Sequence, residues 1–258
     1  MSWFKKLFLV PVCIISIIFT GSSAYAKTVT LCDGFTSETI SPELRDFMDG
    51  KSFKMYSCDG IENDWVRFED LRYLKVKHWG YDDKVHDGEL VVHESIAQEV
   101  LEIFEELYDR KFPIYQMKLI DNYDSDDERS MSANNTSCLR TTDEDFHLRR
   151  PWHALGMAID VNPMNNPCIF PEAAESEPKF VPHNAEKYLD RSLCEKGMIK
   201  SQNICYNAFT KRGWEWGGSW TDPVDLHHFQ KYTWTTDFPR KYKKNISNNF
   251  INLLFNAN

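Results

Sequence analysis

The sequence predicts an α+β fold: a small antiparallel sheet with flanking helices and long loops. Three observations predict it, namely several short strand-like segments, one strongly amphipathic helix, and long polar connections between these elements. A chain of 258 residues is long enough for one sizeable domain. The chain contains no internal repeat and no low-complexity linker that would divide it.

The first half of the chain supplies the predicted sheet. Residues 41–53 read as a short helix that ends near Gly50. Residues 71–79 (LRYLKVKHW) and 88–92 (GELVV) read as two strands, and the glycine- and aspartate-rich segment between them reads as their connecting loop. Residues 114–120 (IYQMKLI) are a further predicted strand.

The clearest helix follows these strands, in the segment ESIAQEVLEIFEELYDRKFP. Ser95 and Gln98 resemble a capping box at its start, and Pro113 is expected to end it. One face is apolar at helical spacing, which predicts a core-packing helix; the residues on that face are Ile96, Val100, Ile103, Phe104 and Leu107.

The second half is richer in loops. Residues 121–150 are polar, and loops of this length are usually functional or disordered. A short strand is predicted from Met157, and a strand with a glycine turn at 213–218 (GWEWGG), shortly before DLHHF. The remaining expectations are short helices at AEKYLDRSL and SQNICYNAF, and a basic, then apolar tail from Lys241 that packs on the domain surface.

The N-terminus resembles a secretory signal. Lys5 and Lys6 precede an apolar run over 7–20, and GSSAYA ends in the Ala-x-Ala cleavage pattern. We therefore expect residues 1–26 to be a signal peptide and residues 27–258 to form one domain. The expected product is a soluble periplasmic or secreted protein with no membrane anchor, since Cys13 lies inside the apolar run rather than at its end.

The charge balance excludes one class of partner. The chain carries 30 basic and 39 acidic residues, a net charge of −9, and loss of Lys5 and Lys6 makes the mature chain more acidic. Nucleic-acid binding depends on neutralising phosphates with basic side chains, so we expect no nucleic-acid partner. We expect a monomer.

Six cysteines remain after the signal. An even number in an exported chain predicts up to three disulfides, whose connectivity sequence alone leaves open. Proximity along the chain favours Cys32–Cys58 and Cys194–Cys205, with Cys138–Cys168 left over. The chain has no Cys-x-x-Cys pair, which argues against a thiolate zinc site.

Histidine and aspartate cluster in two places. His153 and Asp160 bracket the small, apolar segment HALGMAID, and His227 and His228 follow Asp225 in DPVDLHHF. A catalytic zinc ion takes three such ligands and leaves a fourth position for water. His153, Asp160 and either His227 or His228 are therefore candidate ligands. Asp225 is a candidate proton acceptor, or alternatively a residue that caps the turn after Pro223.

Serine catalysis is the competing chemistry. Ser176 and Lys179 fit the Ser-x-x-Lys pattern of penicillin-binding enzymes, and SAN at 132–134 imitates their second motif. The third motif, Lys-Thr-Gly, is absent from the chain. HExxH is also absent, which argues against a helix-based zinc peptidase.

The two clusters together resemble a known family. HALGMAID is similar to the His-x-x-Gly-x-Ala-x-Asp motif of zinc D-alanyl-D-alanine carboxypeptidases and L-alanyl-D-glutamate endopeptidases. GWEWGGSWTDPVDLHHF is similar to their second motif, in which an aromatic and glycine-rich segment precedes Asp-x-x-His-Phe. With its upstream flank the resemblance covers about residues 41–232, and it implies the hedgehog/DD-peptidase-like fold.

The resemblance implies a role for each motif residue. His153, Asp160 and His228 would bind Zn²⁺, Asp225 would be the catalytic base, and His227 would occupy a variable position. In the family the zinc ion activates a water molecule that attacks a peptide bond. Gly156 and Ala158 fit the same picture, because small residues let the backbone pass close to the metal and neighbouring strands.

The chain departs from the family pattern at two places. Related sequences usually carry serine two residues before the first histidine, where this chain has Pro151. Their NNTSAFNCR ends in an arginine that is expected to bind the substrate carboxylate or oxyanion, whereas NNTSCLRTT places Thr142 there. Arg140 is the first candidate to replace that arginine, and Arg129 is the second.

The sequence thus predicts an exported zinc metallopeptidase acting on peptidoglycan stem peptides. The resemblance implies either D-Ala-D-Ala carboxypeptidase or L-Ala-D-Glu endopeptidase cleavage. Two alternatives stay open: a non-catalytic, zinc-stabilised binding module of the same fold, as in hedgehog signalling domains, and a serine D-Ala carboxypeptidase.

Overall fold

A computed structural model of the protein describes residues 28–63, 65–147, 152–171 and 179–232. Four α-helices and twelve short β-strands make up the regular structure of this part, which confirms the predicted α+β class. The helices are α1 Pro42–Met48, α2 Glu94–Asp109, α3 Asp127–Ser132 and α4 Ile204–Thr210. The strands are β1 Thr28–Cys32, β2 Phe35–Thr39, β3 Leu71–Trp79, β4 Val85–His93, β5 Gln116–Met117, β6 Asn135–Thr136, β7 Ala158–Asp160, β8 Cys168–Phe170, β9 Lys179–Val181, β10 Glu215–Trp216, β11 Val224–Asp225 and β12 His228–Gln230.

The largest sheet is antiparallel, with the strand order β1-β2-β3-β4. β3 has the bounds that the sequence predicts, and β4 begins at Val85, three residues before the predicted segment. The β3–β4 hairpin runs in continuous register from the Leu71–His93 pair to the Trp79–Val85 pair. The sequence analysis missed β1 and β2, which are only five residues long each.

Helix α2 packs its predicted apolar face into the core, and all five residues named on that face are buried. The predicted capping box is wrong. His93 is the N-cap, and its Nδ1 accepts the Ser95 N–H at 3.2 Å, while Gln98 bonds Glu102 instead. The helix ends at Asp109, before the predicted Pro113, because Lys111 takes a left-handed conformation with φ of 53°.

Several predicted elements are shorter in the structure than in the sequence analysis. The predicted strand 114–120 is reduced to β5, the segment 41–53 contains the Ser41-capped α1, and the two later helix candidates become a 3₁₀ helix at Glu186–Leu189 and α4. The polar segment 121–150 is described as far as residue 147, and this part contains α3, which Asp126 caps, and β6. The tail from Lys241 lies outside the described residues.

Two small antiparallel sheets contain the strands of the two His/Asp motifs, HALGMAID and DPVDLHHF. One has the order β10-β12-β7 and the other β11-β8-β9. Phe229 on β12 is fully buried, and its ring stacks on Phe209 of α4 with 4.2 Å between the centroids. This contact ties the β7–β12 pair to the main core, which α2 and α4 share.

The six described cysteines are all free, so the predicted disulfides are not formed in the structure. In two of the three predicted pairs the two cysteines differ in their surroundings, whereas Cys138 and Cys168 are both buried. Cys32 bonds Glu105 of α2, whereas Cys58 lies exposed in a loop tied to Asp143. Cys194 is likewise exposed while its predicted partner is buried in α4. Proximity along the chain was therefore a poor guide to pairing.

No helix in the described ranges has the length and apolar character needed to span a bilayer. The predicted signal segment, residues 1–26, lies outside the described residues.

Candidate metal centre

Strand pairing brings the three candidate ligands together. Asp160 ends β7 and His228 begins β12, and these two residues are direct partners in the antiparallel register. His153 lies in the turn that leads into β7, and this turn is closed by a hydrogen bond from the Gly156 N–H to the His153 carbonyl at 2.9 Å. The spacing within HALGMAID therefore wraps His153 back over the end of its own strand.

The donor atoms of these side chains converge on one point. His153 Nε2 lies 3.2 Å from Asp160 Oδ2 and 3.2 Å from His228 Nδ1. His228 Nδ1 lies 3.1 Å from Asp160 Oδ1. Asp160 and His228 are buried and His153 is nearly so. Among the described residues this is the one group of three or more His, Cys, Asp and Glu side chains with metal-binding geometry.

Both imidazoles are oriented by a partner outside the cluster. His153 Nδ1 donates to the Cys138 carbonyl at 2.7 Å, which leaves Nε2 facing the cluster. His228 Nε2 is bonded to Gln230 Oε1 at 3.1 Å, which leaves Nδ1 facing it. Metal-binding histidines usually have their second ring nitrogen fixed in this way.

The electrostatics favour positive charge at the cluster. Burial alone would raise the pKa of Asp160, but the charges of His153 and His227 and hydrogen bonds from His153 and His228 hold it well below its usual range. Burial likewise opposes protonation of His228, yet its hydrogen bond to Asp160 and that carboxylate's charge raise its pKa to about 9. Without a metal, a proton on His228 therefore balances the buried carboxylate.

The donor set fits zinc. Two imidazole nitrogens and one carboxylate are a known ligand combination for catalytic Zn²⁺, which keeps a further position for water. The three donor atoms point inward from separate places on one short pair of strands and their adjoining turn, and their outer nitrogens are already satisfied.

Asp225 lies beside this cluster, at the end of β11. Its Oδ1 is buried and 3.0 Å from His227 Nε2, but the contact lacks hydrogen-bond geometry, and no described donor satisfies this oxygen. The alternative that Oδ1 caps the turn after Pro223 therefore has no support. Gly217, the first of the two adjacent glycines that end GWEWGG, makes this packing possible, because a Cβ on it would lie 2.6 Å from the Asp225 carbonyl oxygen.

His227, left as a variable position by the sequence, is buried between the two carboxylates. Its Nδ1 donates to the Asn166 carbonyl at 2.7 Å, and its Nε2 lies 3.9 Å from Asp160 Oδ1. It is therefore a neighbour of the cluster, while His228, as the sequence resemblance implies, is the histidine that joins it.

The two candidate arginines lie in different places. The Arg140 backbone N–H donates to the His153 carbonyl at 3.2 Å, and its guanidinium contacts Asp127 of α3. The buried Nε of Arg140 has no hydrogen-bond partner among described groups. Arg129 is more exposed, on the outside of α3, near Asp124 and the Tyr123 carbonyl. Of the two arginines, Arg140 is thus the one whose backbone is bonded to a candidate ligand.

The sequence analysis missed the polar residues that support His228. Gln230 bonds Glu215, its cross-strand partner, and Glu215 also accepts the Trp220 indole N–H at 2.7 Å. A signal existed: residues at positions i and i+2 of a strand share a face, so Gln230 follows His228 on the same side. Ser176 of the candidate serine motif and Pro151, one of the departures from the family pattern, lie outside the described residues. Ser132 of the second serine motif lies on α3 and bonds Glu128.

No curated protein and no solved structure matches the chain. A family model described as D-alanyl-D-alanine carboxypeptidase matches residues 148–231. That segment contains His153, Asp160, Asp225 and His228. The resemblance to the zinc D-alanyl-D-alanine carboxypeptidase family is thereby confirmed over the segment that carries both motifs.

Proposed function

We propose that the protein is a zinc-dependent peptidase that hydrolyses the stem peptides of peptidoglycan, as a D-Ala-D-Ala carboxypeptidase or an L-Ala-D-Glu endopeptidase. The family match supports a peptidase directed at cell-wall peptides. The observation that carries the proposal is the convergence of three oriented donor atoms beside a buried carboxylate oxygen without a donor.

The three candidate ligands would contribute differently to metal binding. His153 and His228 would bind through Nε2 and Nδ1, and Asp160 would supply the negative charge that offsets the cation. When bound, a zinc ion in such a site polarises a peptide carbonyl and lowers the pKa of a bound water towards ~7. The buried position of Asp160 strengthens its attraction for the cation, because water screens it little.

Asp225 would serve as the base. Its buried Oδ1 lies 3.0 Å from His227 Nε2 and has no hydrogen-bond partner among the described groups, so this oxygen would be available to accept a proton from an attacking water. The same carboxyl group would then return the proton to the leaving amine. His227 lies between Asp225 and Asp160, which supports a base at Asp225 that acts beside the ligand set without being a ligand.

Arg140 would bind the carboxylate or developing oxyanion of the substrate. Its backbone bond to His153 supports this role, and its guanidinium would exchange Asp127 for the substrate. Arg129 is the second choice. Substitution of Arg140 by alanine is expected to raise KM more than substitution of Arg129, measured on purified muropeptides.

The test of metal binding uses the three ligand variants His153→Ala, Asp160→Ala and His228→Ala. Each is expected to lose stoichiometric zinc, measured by elemental analysis after dialysis, together with muropeptide cleavage measured by mass spectrometry. His183→Ala is the matched control, because its side chain is 80 % exposed and pairs with the partly exposed Glu128 of α3. Full zinc occupancy in the ligand variants would contradict the proposal.

The test of the base separates binding from turnover. Asp225→Ala should keep zinc and lose activity by about 10²–10⁴-fold, the usual contribution of a general base. Asp46→Ala, at an exposed position of α1, is the control. A fully active Asp225→Ala enzyme would refute the mechanism. Zinc without cleavage by the wild type would favour the binding-module alternative, and a β-lactam adduct on Ser176 would favour the serine alternative.

Export is part of the same proposal. Residues 1–26 would direct the chain to the periplasm or the medium, where its substrate lies, and the mature protein would act as a monomer. Cell fractionation with and without residues 1–26, followed by light scattering of the purified protein, tests both statements. Retention of the full chain in the cytoplasm would contradict export.

A further inference from the structure

We propose that Gln230 is a positioning residue that holds His228 with Nδ1 towards the metal, and that Glu215 in turn fixes the orientation of Gln230. The inference rests on the metal binding in the proposed function. It assigns roles to two residues outside the ligand set and outside the base.

The orientation of the Gln230 amide follows from its contact with the carboxylate of Glu215. Glu215 Oε2 lies 2.8 Å from Gln230 Nε2, and a carboxylate can only accept. The amide nitrogen of Gln230 therefore faces Glu215, where it also donates to the Tyr232 hydroxyl at 2.9 Å. The amide oxygen must then face the other way, towards His228.

The amide oxygen determines which nitrogen of His228 carries hydrogen. Gln230 Oε1 lies 3.1 Å from His228 Nε2 and can only accept, so the hydrogen is on Nε2. In the neutral ring the lone pair then lies on Nδ1, which is 3.1 Å from Asp160 and 3.2 Å from His153 Nε2. The opposite tautomer would leave the cluster facing an N–H group instead of a ligand atom.

The backbone holds this chain of bonds in place. Glu215 and Gln230 are cross-strand partners in the β10–β12 pair, and Gln230 is two residues from His228 on the same face of β12. Gln230 is buried, and both ends of its amide are bonded, as a buried polar group requires. Trp220 holds the second oxygen of Glu215, at 2.7 Å from Oε1.

The first experiment measures zinc affinity by competition with a chelator. Gln230→Leu keeps the size of the side chain and removes the acceptor, and we expect zinc to bind 10–100-fold more weakly, as for other lost outer partners of metal-binding histidines. Gln98→Leu is the control, because Gln98 is exposed on α2. Affinity within twofold of wild type in the Gln230→Leu variant would overturn the inference.

A swapped pair separates positioning from packing. In the double variant Q230E/E215Q the new carboxylate still accepts from His228 Nε2, while the new amide donates to it from the position of Glu215. We expect this variant to regain most of the zinc affinity that Gln230→Leu loses, and the single variant Glu215→Leu to remain weak. A double variant as weak as Gln230→Leu would count against the proposed chain of bonds.

The tautomer is measured directly by ¹⁵N–¹H correlation of the histidine rings. In zinc-loaded protein, and in metal-free protein at pH 10, His228 should carry hydrogen on Nε2; hydrogen on Nδ1 would overturn the inference. Wild type that binds zinc but cleaves no muropeptide would refute the proposed peptidase, while weakened zinc binding in Gln230→Leu would still support the role of Gln230.

Discussion

Replacement of Gly156 by alanine should both destabilise the protein and displace His153, one of the three candidate metal ligands. Gly156 has a φ of +66°, a left-handed conformation that disfavours side chains. An added Cβ would lie 2.8 Å from the His93 backbone nitrogen and 3.1 Å from the Val92 carbonyl carbon. Both atoms belong to the backbone of β4, so they cannot move aside as a flexible side chain could.

Three contributions set the expected change in the free energy of unfolding. The left-handed conformation costs an alanine about 1–2 kcal/mol. The less flexible unfolded chain returns about 0.4–1 kcal/mol, so strain alone leaves a loss of about 1 kcal/mol. The close contact with β4 adds about 1–3 kcal/mol, as overpacking usually does. We therefore expect Gly156→Ala to lower the free energy of unfolding by about 2–4 kcal/mol.

Gly50 provides a matched control for the strain. Its φ is +75°, close to that of Gly156, but an added Cβ would meet no atom within 4 Å. Gly50→Ala should therefore lose only about 1 kcal/mol. The difference between the two variants isolates the contact with β4.

The assay is urea unfolding of metal-free protein, followed by tryptophan fluorescence. Zinc affinity is measured in parallel, since Gly156 bonds both the His153 carbonyl and the His93 N–H at 2.9 and 2.8 Å, and a shifted turn would move His153. If Gly156→Ala is no less stable than Gly50→Ala, the close approach to β4 is not what requires a glycine here, and the reasoning fails.

Three further outcomes are expected. Phe229→Ala should cost about 3–5 kcal/mol in urea unfolding, because this fully buried ring stacks on Phe209. Burial opposes ionisation of Glu106, but two basic side chains after α4 outweigh it and lower its pKa, so the stability it confers is present at neutral pH and is lost as the pH falls through that pKa. Glu106→Gln should therefore cost about 1–3 kcal/mol at pH 7, and this difference from wild type should shrink as the pH falls below the usual glutamate pKa of about 4.3, measured by urea titrations over that range. Ellman's reagent should label the exposed Cys58 and Cys194 in native protein and the buried thiols only after unfolding; a count without free thiols in the mature protein would show that disulfides form.

The sequence was sufficient to name the three residues that converge in the candidate metal centre, because the residue types and spacing in HALGMAID and DLHHF, on which the family resemblance rests, are local properties. Helix α2 was predictable for a similar reason, since its apolar face repeats at helical spacing. What joins the two motifs is the pairing of Asp160 with His228, a non-local contact that no spacing reveals.

The errors share the same physical cause. Sequence proximity suggested the pairs Cys32–Cys58 and Cys194–Cys205, but the fold gives the two cysteines of each pair different exposure. The cap of α2 is His93, a residue that also closes β4 and bonds the turn before β7. The Glu215–Gln230 bond likewise depends on which strands become neighbours. Each of these features is decided by tertiary contacts rather than by local preference.

His227 and His228 are adjacent, with His228 beginning β12, so the register of β12 against β7 decides which histidine lies opposite Asp160. A slip of one residue against β7 would present His227 to Asp160 in place of His228, because neighbouring side chains of a strand face opposite sides. The same slip would turn Phe229 out of the core, where it is now fully buried. Burial of Phe229 therefore favours the register in which His228, rather than His227, lies opposite Asp160, whether or not an ion is bound.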